Sequence, residues 1–468
     1  MDRYRTIISA ILCALSYQYF PFGLLISFIP LMQNKIKYST FYIWGIIYMG
    51  GLHLFLLNLA NDSHIIAAIF IWLIASLYFG LFYGLGGWGL KIIHNKTNIP
   101  WPLLLPILWP VIEYAKSMGS FGNTNGNLGF GLSKIIHYLP ITSIIGHIGL
   151  GLLIIIINAL IWQQTKNKNN KTPIILMIGL FILATMIGSS PSQIQSTQHI
   201  SVIQTNVEQQ IKMNPNHWAS LEKNYLSLIT SATGNIIILP ESILPTNMQV
   251  RPWFDKIQDY STTEKKYILF GTFIKDTGTF NGSLLIQPNG QPITYKKQRL
   301  MPFGETLPFR NILSNIIPQS LLFSDFEKGD QTIDIPIEEF SIRPLICLEG
   351  IYGKFYSSPP NGIMAILANN AWYDNSTAGS KFLKFAQVHA AEFQTMVAVS
   401  ANTGQSAIIS PTGALIQNAT HQNEAILTHP IQISSTPSIY QQWHWAGSLV
   451  LIIGWIAIIR RQKNNENH

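Results

Sequence analysis

The sequence predicts two architectures in one chain: a polytopic α-helical membrane domain of about eight helices, and a layered α/β domain inserted before the last of them. Three observations predict this. Charged residues make up only 11% of the 468 residues, against about 25% in an ordinary soluble protein, while apolar residues reach 48%. The 30 basic and 22 acidic side chains are unevenly spread, with only 14 of them before residue 195 and most of the rest between 195 and 435. Long apolar runs fill the charge-poor part, and short runs of strand and helix character fill the charge-rich part. So few charges cannot clothe a soluble chain of this length, which excludes a purely cytosolic enzyme and a disordered protein. Two cysteines exclude a disulfide-stapled scaffold. The expected divisions are 1–194, 195–435 and 436–468, with about seven helices in the first part and one in the last.

Apolar stretches at 6–20, 22–34, 40–60, 64–93, 100–118, 141–163, 173–190 and 443–459 are the candidate spans. A helix crossing a bilayer takes roughly 20 residues. The first two stretches are short and interrupted by Pro21-Phe-Gly, so they read as tilted helices or as a hairpin that does not fully cross. Lys and Arg collect at the N-terminus, at 35–37, at 91–96, at 166–171 and after 459. With eight spans those five segments share one face, which the positive-inside rule makes cytoplasmic. Both termini are then expected in the cytoplasm and 195–435 outside. The net charge of +8 belongs to topology rather than to nucleic acid.

Two signals in this part are read as incidental. Gly84-Leu-Gly-Gly-Trp-Gly89 matches a dinucleotide-binding string, yet it lies in an apolar helix with no preceding strand. Close helix packing through Gly80 and Gly84 is the better use. The basic N-terminus followed by an apolar run resembles a secretory signal, but no small-residue cleavage site follows and Leu12 precedes Cys13, so a retained helix is expected. Glu113 and Lys116 stand three apart on an apolar helix. They read either as a functional pair at membrane depth or as a helix-end ion pair reaching the interface.

In the charge-rich part, strands are expected at 199–207, 235–239 and 267–274, and a hairpin at 283–287 and 292–297 around Pro288-Asn-Gly. Further strands are expected at 344–347, 363–367, 396–400 and 406–409, with helices at 218–230 and 382–395. Strands alternating with helices indicate a layered α/β domain.

Its chemistry rests on three strand ends. Cys347 is the one cysteine outside the apolar stretches, and a free thiol on an apolar strand is ordinarily core packing. Glu241 follows a buried strand and a proline, which places a carboxylate at a strand mouth. Lys297 closes a hairpin strand and opens Lys297-Gln-Arg-Leu-Met-Pro-Phe-Gly-Glu305. Alone, a lysine there is a solvated residue. Together, Glu, Lys and Cys in that order on three separate strand ends, with a second glutamate at 305, are hard to obtain by chance. There is no HExxH, the 12 histidines are scattered, and His389 reads as packing or surface, so no metal site and no cofactor are expected.

These residues resemble the nitrilase (carbon–nitrogen hydrolase) superfamily, whose triad is Glu–Lys–Cys in that order. With the flanking apolar helices, the whole chain is similar to the apolipoprotein N-acyltransferase family. The likeness is carried by Tyr19-Phe-Pro-Phe-Gly-Leu, Leu108-Trp-Pro-Val-Ile-Glu113 and the run from Leu139 to Gly151 in the first part. In the second part it is carried by Leu239-Pro-Glu-Ser-Ile-Leu-Pro245, the 297–305 stretch, Asn369-Asn-Ala-Trp372 and Ala401-Asn-Thr-Gly404. The resemblance implies an α-β-β-α sandwich, with Cys347 as nucleophile, Glu241 as general base and Lys297 as the triad lysine rather than the adjacent Lys296. It implies supporting roles for Glu305, Glu349, Trp372 and the backbone N–H of Leu348. Departures from the family pattern are Met213 for Trp, Leu348 for Tyr, Asn370 for Asp, Lys116 for Arg, and Gln394 where Arg is usual.

The implied activity is ping-pong acyl transfer in a multi-pass bacterial inner membrane. A phospholipid donates the acyl chain, a diacylglyceryl-cysteine apolipoprotein accepts it, and neither a cofactor nor nucleic acid takes part. The chain is expected to be a monomer. The stretch 312–323 is apolar enough for an arm dipping toward the outer leaflet, or equally for a buried helix. A membrane-tethered amidase acting on a small amide would use the same triad and is the alternative. A transporter would need polar residues along several helices, and these helices carry almost none.

Overall fold

The computed structural model describes residues 1–61, 65–188, 193–302, 304–307, 325–357, 362–371, 378–434, 436–444 and 446–466. The chain forms two compact units, one from 1–190, 391–393 and 438–468, the other from 191–390 and 394–437.

The first unit is helical. Its long helices are α1 (Asp2–Gln18), α2 (Tyr38–Leu52), α3 (Ile65–Thr97), α4 (Trp101–Ser117), α5 (Thr142–Lys166), α6 (Thr172–Met186) and the C-terminal helix Ala446–Glu466. Among the described residues, two helical stretches are long and apolar enough to cross a membrane, Ala68–Thr97 and Thr142–Lys166. The expected second span, 22–34, is not one helix: Pro21–Leu25 is a 3-10 segment and Ile29–Met32 a single α turn. Each carries a proline in its first turn, where the missing N–H is harmless, and that same proline bars a helix arriving from upstream. The run at 40–60 likewise leaves α-helix at Leu52 and continues as the 3-10 segment Leu54–Asn61.

Glycines decide how closely α2 and α3 approach. A Cβ on Gly80 would sit 2.8 Å from the Ile46 side chain and 3.2 Å from its backbone nitrogen. One on Gly87 would sit 2.6 Å from the Phe41 ring. The glycine string inside α3 therefore serves packing, as small residues do between apolar helices.

Glu113 and Lys116 are both fully buried, and no ion pair joins them among the described residues. Glu113 Oε1 accepts from Trp109 Nε1 at 2.8 Å and from the Leu128 N–H at 2.6 Å. Lys116 Nζ donates to the carbonyls of Asn123 and Asn125 at 2.8 and 2.7 Å. Of the two readings, the interfacial ion pair is absent among the described residues, and two separate ties run instead from α4 to the loop that follows it, because a buried charge persists only where it is hydrogen-bonded.

The second unit holds twelve strands among its described residues: β1 (Gln193–Gln204), β2 (Ile236–Ile238), β3 (Tyr267–Lys275), β4 (Thr279–Ile286), β5 (Ile293–Lys296), β6 (Ile335–Ile337), β7 (Phe340–Ile346), β8 (Gly362–Ala368), β9 (Val397–Ala401), β10 (Ala407–Ile409), β11 (Leu415–Asn418) and β12 (Ala425–Ser434). They form two six-stranded sheets, β12-β1-β2-β3-β4-β5 and β11-β10-β9-β8-β7-β6. The helices are α7 (Trp218–Ser231), α8 (Pro252–Glu264) and α9 (Ala378–Phe393). Alternation of period two sorts the residues. Ile236, Ile238 and Leu269 of one sheet share a core with Ile342, Ile363 and Ala365 of the other. The intervening Ile237, Leu239, Ile268 and Phe270 pack instead with residues of α7 and α8. Helix α9 is the crossover between the parallel strands β8 and β9. Since the inner face of that sheet is already filled, a crossover must cover the outer one. The layers are thus helix, sheet, sheet, helix.

Strand directions gather the chemistry. β1, β2 and β3 are mutually parallel, β5 regains their direction through the β3–β4–β5 hairpins, and β7, β8 and β9 are parallel in the other sheet. The C-terminal ends of β2 and β5 therefore open on one edge of the first sheet, and those of β7 and β8 on one edge of the second. Strand β1 begins at Gln193, earlier than expected, because pairing with β12 carries its polar start.

Candidate active site

Glu241 follows β2 by way of Pro240. The turn is pinned to β3: the Gly271 N–H donates to the Pro240 carbonyl at 3.0 Å, and the Ile243 N–H to the Gly271 carbonyl at 3.0 Å. The approach is so close that a Cβ on Gly271 would lie 2.3 Å from the Ser242 nitrogen, which requires glycine there. Ser242 pays for the turn with φ +44.

Lys297 lies one residue past β5. Its N–H donates to the Asn281 carbonyl of β4 at 2.9 Å, so hairpin register sets its position. Cys347 lies one residue past β7 and begins the 3-10 segment Cys347–Ile351. Its φ is +47, a left-handed conformation that a residue with a side chain adopts at a cost of about 1–3 kcal/mol. The strain turns the thiol off the end of the strand, and the side chain is left half-buried.

The three side chains converge. Lys297 Nζ, 1% exposed, donates to Glu241 Oε1 at 3.3 Å and to Glu305 Oε1 at 2.8 Å. Asn281 Nδ2 bridges the same two carboxylates, at 2.8 Å to Glu241 and 2.5 Å to Glu305. Glu241 Oε2 accepts from the Asn369 N–H just past β8 at 3.0 Å, and Glu305 Oε2 from the Met301 N–H at 2.7 Å. The Cys347 sulfur lies within the electrostatic reach of Glu241, Lys297 and Glu305, and accepts from the Leu348 N–H.

Burial and the charge of Glu241 push the Cys347 thiol up, and Lys297 only partly opposes them, so the resting sulfur is protonated. Burial would draw the Lys297 ammonium down, but Glu241 and Glu305 reverse this and raise it, so it stays charged.

Glu349, two residues past Cys347, is fully buried and does not face the sulfur as a base. Its Oε1 accepts from the Tyr295 hydroxyl at 2.8 Å, the Gln298 N–H at 2.7 Å and the Arg299 N–H at 3.2 Å. Its Oε2 accepts from the Ile346 N–H at 2.8 Å. It therefore ties the strained turn at Cys347 to the segment after Lys297. Trp372 and the stretch 312–323 lie outside the described residues. Met213 is 50% exposed, so the departure there removes no core contact.

Sequence reasoning missed Asn281 and passed over Lys212. Lys212 is 2% exposed and its Nζ donates to the Glu241 carbonyl at 3.2 Å. Burial draws its ammonium down to about 7, while Glu241 pulls the other way. Asn281 has no signature of its own, since only cross-strand register brings it beside Lys297. Lys212 had a slight one: a lysine between Ile211 and Met213, just before the Asn214-Pro215 turn.

A thiol, an ammonium and a carboxylate thus gather at the C-terminal edges of the strands of a two-sheet sandwich. Residues 200–441 match the carbon–nitrogen hydrolase family, and the chain belongs to it. Residues 9–160 match the apolipoprotein N-acyltransferase N-terminal domain. The chain is 24% identical to an apolipoprotein N-acyltransferase of Haemophilus ducreyi over 467 residues, which cover 93% of this chain and 91% of that one. It is 25% identical to one of Haemophilus influenzae, covering 98% and 99%. Among solved structures, a CN-hydrolase superfamily protein of Xanthomonas campestris aligns with 51% of this chain and 91% of its own, at 18% identity and a TM-score of 0.40.

Proposed function

We propose that the chain is a membrane acyltransferase that moves a fatty acyl group from a phospholipid, through a thioester on Cys347, to the α-amine of a diacylglyceryl-cysteine at the N-terminus of an apolipoprotein. The observation that carries this reading is the Glu241–Lys297–Cys347 convergence in a chain that also matches the acyltransferases' own N-terminal domain. That match favours acyl transfer over a tethered amidase, which needs no such domain.

Glu241 takes the thiol proton as sulfur bonds to the ester carbonyl carbon. The oxygen, now anionic, is met by the Lys297 ammonium and the Leu348 N–H. Losing one such donor typically costs about 10²–10³ in rate. The intermediate collapses with cleavage of the ester C–O bond, and the leaving alkoxide receives the proton from Glu241 as lysophospholipid departs. In the second half the lipoprotein amine attacks the thioester, Glu241 accepts the amine proton, and the C–S bond breaks to return the proton to sulfur. Asn281 and Glu305 hold Glu241 and Lys297 in register throughout. No cofactor enters this sequence.

The same reading puts the enzyme in the bacterial inner membrane as a multi-pass protein, with the catalytic unit on the outer side, acting as a monomer. Exposed apolar side chains on α3 and α6, such as Phe70 and Phe181, suit a lipid surrounding. The test is intact-mass analysis of the purified chain after incubation with phospholipid. One added acyl group on Cys347 is expected, absent in Cys347→Ala and slowed by about 10²–10⁴ in Glu241→Gln. Turnover of small amides without an acyl adduct would establish the amidase instead.

A further inference from the structure

We infer that Lys212 is a positioning residue for the acyl-transfer base. The short helical segment Gln209–Met213 grips Glu241 from two sides, with Lys212 on its backbone and Gln209, by way of Asn369, on its carboxylate. The inference rests on the acyl-transfer reading and adds to it what holds the base in place. Strand β2 ends at Ile238, so the Glu241 carbonyl lies beyond the ladder and must find a donor elsewhere. Lys212 Nζ is the one donor that this carbonyl meets among the described residues, at 3.2 Å. The same carbonyl belongs to the peptide that leads into Ser242, whose φ of +44 marks the strain of the turn.

On the carboxylate side, Gln209 Oε1 accepts from Asn369 Nδ2 at 3.2 Å, and the Asn369 N–H donates to Glu241 Oε2 at 3.0 Å. Asn402 locks this arm to the start of the segment. Its Nδ2 donates to Asn369 Oδ1 at 3.0 Å and to the Val207 carbonyl at 2.9 Å, while its Oδ1 accepts from the Val207 N–H at 2.9 Å. The Asn369 and Asn402 motifs, which take no direct part in the chemistry, thereby acquire a use. Stability alone is a poor account of Lys212. The residue is 2% exposed, and a buried ammonium with one carbonyl acceptor among the described residues costs more than an apolar side chain of the same length. The charge of Glu241 opposes the burial of that ammonium, and the attraction acts in return on the carboxylate.

The test follows the Cys347 acyl adduct by intact mass, in the full chain in detergent micelles with phosphatidylglycerol. Lys212→Met, which keeps the length of the side chain and loses its donor, should slow acylation by roughly tenfold or more. In a Glu241→Gln background the same substitution should change the rate by less than about twofold, because a residue that acts through the base has nothing left to hold. Iodoacetamide labelling of Cys347 above the thiol's own midpoint needs no base, so it should proceed alike in the wild type and in Lys212→Met. Gln209→Ala, at a half-buried position, should show the same pattern with a smaller loss, and it decides the matter if Lys212→Met does not fold. An equal loss with and without the Glu241 carboxylate, or a fall in labelling that matches the fall in acylation, would mean a general structural role and overturns the inference. Unchanged acylation in both variants overturns it as well. A wild type that labels with iodoacetamide but takes no acyl group defeats the acyl-transfer reading itself, and the inference with it.

Discussion

At the scale of single residues, the site keeps a thiol neutral while surrounding it with the means to ionise it. Glu241 raises the Cys347 thiol and Lys297 lowers it, so removing either neighbour must move its titration in a known direction. Iodoacetamide labelling of Cys347, followed by peptide mass against pH, reads this directly, because only the thiolate reacts. The wild-type midpoint is expected above that of an ordinary thiol. Glu241→Gln should shift it down by removing a negative neighbour, and Lys297→Met should shift it up by removing a positive one. Shifts of the same sign would mean that the two charges do not act on the sulfur. Glu241, Lys297 and Cys347 were legible in the chain because each follows a strand pattern that ends in a recognisable break. Asn281 was not, because the strand Thr279–Ile286 around it reads as plain core and its partners, Glu241 after β2 and Glu305 past β5, come from two separate loops.

At the scale of elements, regular alternation and long apolar runs were readable, and interruptions were not. Helix 218–230 and the strands at 235–239, 267–274 and 363–367 fall within a residue or two of α7, β2, β3 and β8. Helix α8 and strands β6, β11 and β12 went unanticipated, since β11 is half-exposed and polar and β12 takes its place through pairing with β1. Within α3 the glycines carry a quantitative expectation. A side chain at Gly87 would strike the Phe41 ring, whereas one at Gly179 on α6 has nothing within 4 Å. Gly87→Leu should therefore lower stability by about 1–3 kcal/mol through overpacking, and Gly179→Leu should leave it nearly unchanged. Thermal unfolding in detergent, followed by near-UV circular dichroism, compares them. Equal midpoints would mean that α2 and α3 are not held together at Gly87.

At the scale of the whole molecule, the distribution of charge makes a claim that survives the correction at 22–34. Basic residues mark the N-terminus, 35–37, 91–96, 166–171 and the C-terminal end. The stretch between Pro21 and Met32 is broken into a 3-10 segment and a single α turn, so the first hairpin either crosses the bilayer twice or dips into it. Either way the chain returns to the side on which it began, so the later helices keep the same parity. On the proposed topology α2 leads outward, α3 back, α4 outward, α5 back and α6 outward, with the catalytic unit outside and the C-terminal helix returning to the cytoplasm. Single cysteines test this in a Cys13→Ser, Cys347→Ser background, using a membrane-impermeant maleimide on spheroplasts. Asn289→Cys, in the exposed turn before β5, should label in intact cells, while Asn95→Cys and Asn169→Cys should label only after lysis. Labelling of Asn95→Cys in intact spheroplasts would reverse the orientation. The outer-leaflet lipid donor would be lost with it, because the thiol would then sit on the cytoplasmic side.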